Sequence, residues 1–145
     1  MANYCNNYFS RIGLDMAKKN PDTDEPYELK YPNPHSLFLF PINRNDLITH
    51  ISALKTNSAP GYDGIPTHII KKTHLEILIP LTHIFNLCFE TGTIPTHFKS
   101  TVIVPIHKNG PKTNIKNYRP ISLINGFAKV FEKCLKQKLI EFLNQ

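Results

Sequence analysis

Helical and extended spacings of apolar residues alternate along this chain, and the breaks between them fall where proline, glycine and asparagine gather. Tyr4, Tyr8, Phe9, Ile12 and Met16 recur at roughly helical intervals and predict a first helix within residues 2–19, weakened by Gly13. From Asn20 to Asn33 proline, aspartate, glutamate and lysine take over, the composition of an extended surface linker ending in Tyr31-Pro32-Asn33-Pro34. Ser36 to Phe40 reads as a short edge strand before Pro41. Asn43 is placed to cap a helix whose first turn carries Asp46, and Leu47, Ile48, Ile51 and Leu54 give it an apolar stripe that runs out near Lys55 to Asn57. In the loop that follows, Gly61 and Gly64 are both able to take positive φ. Pro66 then opens a short helix from Thr67 to Lys72. Leu75 to Glu90 sets Leu78, Leu81, Phe85, Cys88 and Phe89 on one helical face, with Pro80 near its first turn and Gly92 as its stop.

The pattern then changes. Thr101 to Ile106 is short, β-branched and apolar, and it halts at His107-Lys108-Asn109-Gly110-Pro111, where turn residues cluster. A polar, cationic stretch from Lys112 to Asn117 follows, and Tyr118-Arg119-Pro120-Ile121-Ser122-Leu123 resumes an ordered run. Two strands joined by a basic tip are predicted, with several positive charges at one exposed end. Asn125 or Gly126 then starts an amphipathic helix with Phe127, Val130, Phe131, Cys134, Leu135, Leu139 and Phe142 as its buried stripe and lysines on the other side. The fold class this implies is α+β: helices packed on a small antiparallel sheet that includes the basic hairpin, then a long C-terminal helix.

Composition sharpens the picture in two places. With 145 residues, 41% of them hydrophobic and 10% aromatic, the chain can bury one core and is not disordered throughout, while twelve prolines keep its elements short. The net charge of +6 is unevenly placed: between Lys99 and Lys138 nine lysines and arginines face Glu132 alone, a net +8 that leaves −2 to the rest. An anionic partner for that region follows. Cys5, Cys88 and Cys134 are odd in number and widely spaced, which supports neither a disulfide framework nor a zinc knuckle and fits a reducing, intracellular compartment. No secretory leader and no apolar run of membrane-spanning length is read, so no membrane partner is expected. The seven histidines follow no ligand spacing, and Gly61 and Gly64 lack the Gly-Lys-Ser or Gly-Lys-Thr of a phosphate-binding loop. Asp63, alone between glycines, is read as a turn former rather than a metal ligand.

One set of motifs points to a family. Ala59-Pro60-Gly61-Tyr62-Asp63-Gly64-Ile65-Pro66 is followed in order by Phe85-Asn86, Gly92-Thr93-Ile94-Pro95, Phe98-Lys99, Val104-Pro105-Ile106-His107-Lys108, Tyr118-Arg119-Pro120-Ile121-Ser122-Leu123 and Lys129-Val130-Phe131-Glu132-Lys133. Together they resemble the reverse transcriptases of non-LTR retrotransposons. The resemblance divides the chain into a lead-in helix and proline-rich linker, 1–42, and a partial reverse transcriptase domain, 43–145. It implies the N-terminal fingers of a right-hand polymerase with the palm missing. It places Lys108 on the fingertip and Arg119 on the returning strand as nucleotide-binding residues, and Lys112 and Lys116 as template contacts. A guanidinium fork and a compact ammonium both suit phosphate oxygens. The family's nucleotidyl transfer uses magnesium ions held by palm aspartates, yet no aspartate follows Asp63 and no Asp-Asp pair occurs. The expectations are therefore no catalytic or metal residue and no cofactor in this chain, an isolated chain that is inactive, and RNA template, DNA primer and deoxynucleoside triphosphate as partners of the intact enzyme. Two rival readings are a non-enzymatic nucleic-acid-binding adaptor and a relic without function.

Overall fold

The computed structural model describes residues 2–19 and 37–144, so the proline-rich linker lies outside the described residues. The described chain falls into two compact units. One holds an N-terminal helix, α1 (Ala2–Ala17), and the segment Ile103–Ile121. That segment is the outer part of a two-stranded antiparallel sheet formed by β1 (Thr101–His107) and β2 (Tyr118–Ile124). In α1, Tyr8 and Phe9 meet edge to face at 5.2 Å, while Gly13 faces open space and is accommodated.

The second unit is helical: α2 (Arg44–Ser52), α3 (Thr67–Lys72), α4 (His74–Thr91), a single turn α5 (Thr96–Lys99) and α6 (Gly126–Leu143). The fold class is thus α+β, as the sequence predicted. Asn43 caps α2 by accepting from the Asp46 N–H at 2.8 Å. The helix stops at Ser52, ahead of the predicted end: Ala53 N and Leu54 N close its last turn on Thr49 O and Ile51 O, and the next two carbonyls are taken by lysines of other helices. Lys133 Nζ reaches Ala53 O at 3.2 Å and Lys71 Nζ reaches Leu54 O at 3.0 Å, satisfying acceptors that a further turn would have used.

Three further departures have physical reasons. Of the predicted strand Ser36–Phe40, Ser36 lies outside the described residues and Leu37–Phe40 form no strand; two residues on, the backbone of Ile42 is answered by the side-chain amide of Asn86 on α4, which accepts from Ile42 N at 2.7 Å and donates to Ile42 O at 3.1 Å. Pro80 lies well inside α4, past its first turn, where it removes the N–H that would bond the Glu76 carbonyl; an interior proline costs about 3 kcal/mol, offset by the buried Leu78, Leu81, Phe85 and Cys88. The α5 turn, which no periodicity in so short a segment announces, swings Phe98 toward Phe85 and Phe131, each at 5.9 Å between ring centres.

The core of this unit lies between α2, α3, α4 and α6, with Leu47, Ile51, Ile70, Phe85 and Val130 sealed from solvent. Phe85, Phe89, Phe98 and Phe131 meet in edge-to-face and tilted contacts at 5.1–5.9 Å. Gly92 ends α4 in the left-handed region, as expected. Asn125 caps α6 by accepting from the Ala128 N–H at 2.6 Å. Of the predicted stripe of α6, Val130, Phe131 and Cys134 are buried and Phe127, Leu135 and Phe142 half-buried, while Leu139 is 43% exposed. Burial, reinforced by the Asp46 carboxylate, pushes the Cys134 thiol up to about 12.

Candidate nucleic-acid interface

The connection between the two strands is cationic, and its own polar groups hold its shape. Lys108 N donates to Asn117 O at 2.7 Å and closes the hairpin. Within the loop the Asn117 amide donates to Pro111 O at 2.9 Å, the Tyr118 hydroxyl to Lys112 O at 3.0 Å, and Lys116 N to the Asn114 side chain at 3.0 Å. His107 bonds Gly110 O at 3.0 Å and packs edge-on against Tyr118. Gly110 sits at φ +76° directly over the Asn117 amide, so a side chain there would meet both backbone strain and a collision. Ile115, in a turn of 3-10 helix from Ile115 to Asn117, is the buried residue of residues 108–119.

Continuing the register from Lys108 and Asn117 sets Ile106 opposite Arg119 and Pro105 opposite Pro120. The two prolines then occupy a non-hydrogen-bonded pair, where their missing N–H groups fall on the outer edges and cost the ladder nothing. Both edges are blunted against further strand addition.

Lys108, Lys112, Lys116 and Arg119 are all exposed, and all four belong to this one segment. Among the described residues none of them makes an ion pair. The arrangement is a preorganised ribbon presenting four cationic side chains at one end, which can grip an anion bearing several oxygens, such as a phosphate chain.

Other lysines of the basic region are committed elsewhere. Lys129 Nζ binds Ala59 O at 3.2 Å, one helical turn before Lys133 holds Ala53 O, so both act as clamps on the chain between α2 and α3. That chain carries the glycine loop. Asp63 forms the turn anticipated for it, accepting from Ile65 N at 3.1 Å, and Gly64 has φ +68°. Gly61, by contrast, has no positive φ; it is required for close approach, since a Cβ there would lie 2.5 Å from Asn125 N. Among the described residues no three His, Cys, Asp or Glu side chains converge as a metal site.

Sequence reasoning located the cations but missed the residues that shape their loop. Asn114, Asn117 and the Tyr118 hydroxyl act through contacts across the tip, and the cluster of turn formers was the only trace of them. Asn125 was legible as a helix start, but not as a residue that also donates to His97 O at 2.8 Å.

No family model matches the chain. It is 25% identical over 145 residues to the probable RNA-directed DNA polymerase from transposon BS of Drosophila melanogaster, covering 99% of this chain and 16% of that protein. It is 31% identical over 113 residues to the RNA-directed DNA polymerase from mobile element jockey of the same organism, covering 77% of this chain and 12% of that protein. The probable RNA-directed DNA polymerase from transposon X-element, also of that fly, is 32% identical over 88 residues, with 60% of this chain and 10% of that protein covered. The chain therefore spans well under a fifth of the length of these relatives.

Proposed function

We propose that this chain is the fingers portion of an RNA-directed DNA polymerase of a non-LTR retrotransposon, and that its hairpin contacts nucleotide and template. The observation that carries the reading is the cationic tip, folded on its own hydrogen bonds, in a chain similar along most of its length to transposon polymerases. Lys108, at the end of β1, and Arg119, in β2, would hold the triphosphate oxygens of a deoxynucleotide; Lys112 and Lys116 would contact the template backbone, which is sequence-blind and salt-sensitive. Magnesium would serve the intact enzyme at aspartates this chain does not supply, so the part assigned here is positioning rather than bond-making.

The purified chain should show no primer extension with magnesium or manganese, and DNA synthesis by it would overturn that division of labour. In an intact parent enzyme, Arg119→Ala should raise the KM for deoxynucleotide far more than the requirement for template; an unchanged nucleotide dependence would refute the role. A nucleic-acid-binding piece without a polymerase parent is favoured by the same tip, and differs in predicting that Arg119→Ala weakens RNA binding alone.

A further inference from the structure

Tyr62 and His97 stand 35 residues apart and meet on the surface of the helical unit. The Tyr62 hydroxyl and His97 Nδ1 are hydrogen-bonded, the ring planes differ by 15°, and the ring centres are 5.9 Å apart. With nearly parallel planes and centres that far apart, the rings are displaced from one another rather than face to face, and both stay exposed.

The pair is held from beneath. Gly61, next to Tyr62, presses on the Asn125 backbone; Asp63, on its other side, is locked in its own turn; and His97 is fixed through its carbonyl by the Asn125 amide at 2.8 Å. One residue, Asn125, thus positions both halves. The bland reading is a bond that merely ties a loop to α5. Against it stands the way this protein uses aromatics for packing: Phe85, Phe89, Phe98 and Phe131 meet edge-on or tilted within the core, whereas Tyr62 is 42% exposed and His97 is exposed beside it. An exposed aromatic pair already ordered before binding loses little entropy when a planar ligand covers it.

We propose that Tyr62 and His97 form a stacking platform for an unpaired nucleobase of a bound strand. The proposal rests on the nucleic-acid reading above and goes beyond it, by assigning a base contact outside the hairpin. Stacking of one base on an aromatic side chain is worth about 1–3 kcal/mol, and it is tolerant of sequence because every base has a π-face.

The test is titration of the full 145-residue chain with single-stranded RNA or DNA carrying one 2-aminopurine, at several salt concentrations. The wild-type chain should bind and quench the probe; quenching in the RNA strand assigns the platform to template, and quenching in the DNA strand to primer. Tyr62→Ala and His97→Ala should each weaken binding roughly tenfold and relieve quenching, with the salt slope unchanged because stacking releases no counterions. Tyr62→Phe, which keeps a ring, should retain most of the affinity. Wild-type affinity and quenching in both alanine variants would overturn the platform while leaving strand binding intact; absence of binding by the wild-type chain at low salt would overturn both. A check that needs no folded variant uses abasic strands with the wild-type chain: they should bind about tenfold more weakly, and equal affinity would overturn the proposal.

Discussion

At the scale of single residues, two positions carry more than their chemistry announces. Gly61 is fixed by proximity, not by backbone angle, since the smallest side chain would enter the Asn125 backbone. Gly61→Ala should therefore destabilise the chain by about 1–3 kcal/mol, the usual range for overpacking, read as a lower urea midpoint at unchanged slope. Gly13→Ala, facing open space in a helix, should be neutral or stabilising in the same measurement. Cys134 is the second position. Its folded thiol, raised to about 12, is favoured as the neutral form, so its contribution is complete below the ordinary thiol range and is lost as pH climbs toward 12. Alkylation by iodoacetamide at pH 8 should mark the partly exposed Cys5 readily and Cys134 only after unfolding. Labelling of native Cys134 at a rate close to that of Cys5 would contradict this.

Among the elements, the hairpin and α6 divide the basic region between them. Lys129 and Lys133 hold carbonyls of the chain between α2 and α3, so their charges serve the fold, whereas Lys112 and Lys116 extend from a loop whose backbone is already satisfied. Each phosphate contact contributes roughly 0.7 to the slope of log K against log salt on a single strand. Lys112→Ala and Lys116→Ala should each lower that slope by about this amount without changing the urea midpoint. Lys133→Ala should do the reverse, lowering the midpoint and sparing the slope. If Lys112→Ala and Lys133→Ala shift the same quantity, this partition of the lysines is wrong.

For the whole molecule, the notable property is what stays uncovered. α4 buries Leu78, Leu81, Phe85 and Cys88 on one side, yet Leu75 is 63% and Ile79 61% exposed on the other. A helix apolar on both sides is ordinarily covered on both. The relatives are many times longer than this chain, and the fingers reading expects further polymerase surface beside such faces. The purified chain should accordingly bind a hydrophobic dye while retaining a cooperative melt. The double variant Leu75→Lys, Ile79→Lys should reduce dye binding without lowering the melting temperature by more than a few degrees; a large loss of stability would mean that this face already belongs to the core.

What depends on neighbours along the chain can be read from the order of residues alone. Asn43 and Asn125 are legible caps because a cap bonds an amide three residues away, and the buried side of α4 is legible because helical periodicity repeats within one element. The hairpin and its four cations were legible for the same reason: strand, turn signal and returning strand are contiguous. Tertiary structure alone decided what joins distant segments. That Ile42 pairs with Asn86 rather than with a strand, that Lys71 and Lys133 take the carbonyls just past α2, that Gly61 must be glycine because Asn125 lies against it, and that Tyr62 finds His97 are all consequences of packing. Spacing cannot encode them, because the energy of each depends on a partner dozens of residues away that only the folded chain brings within reach.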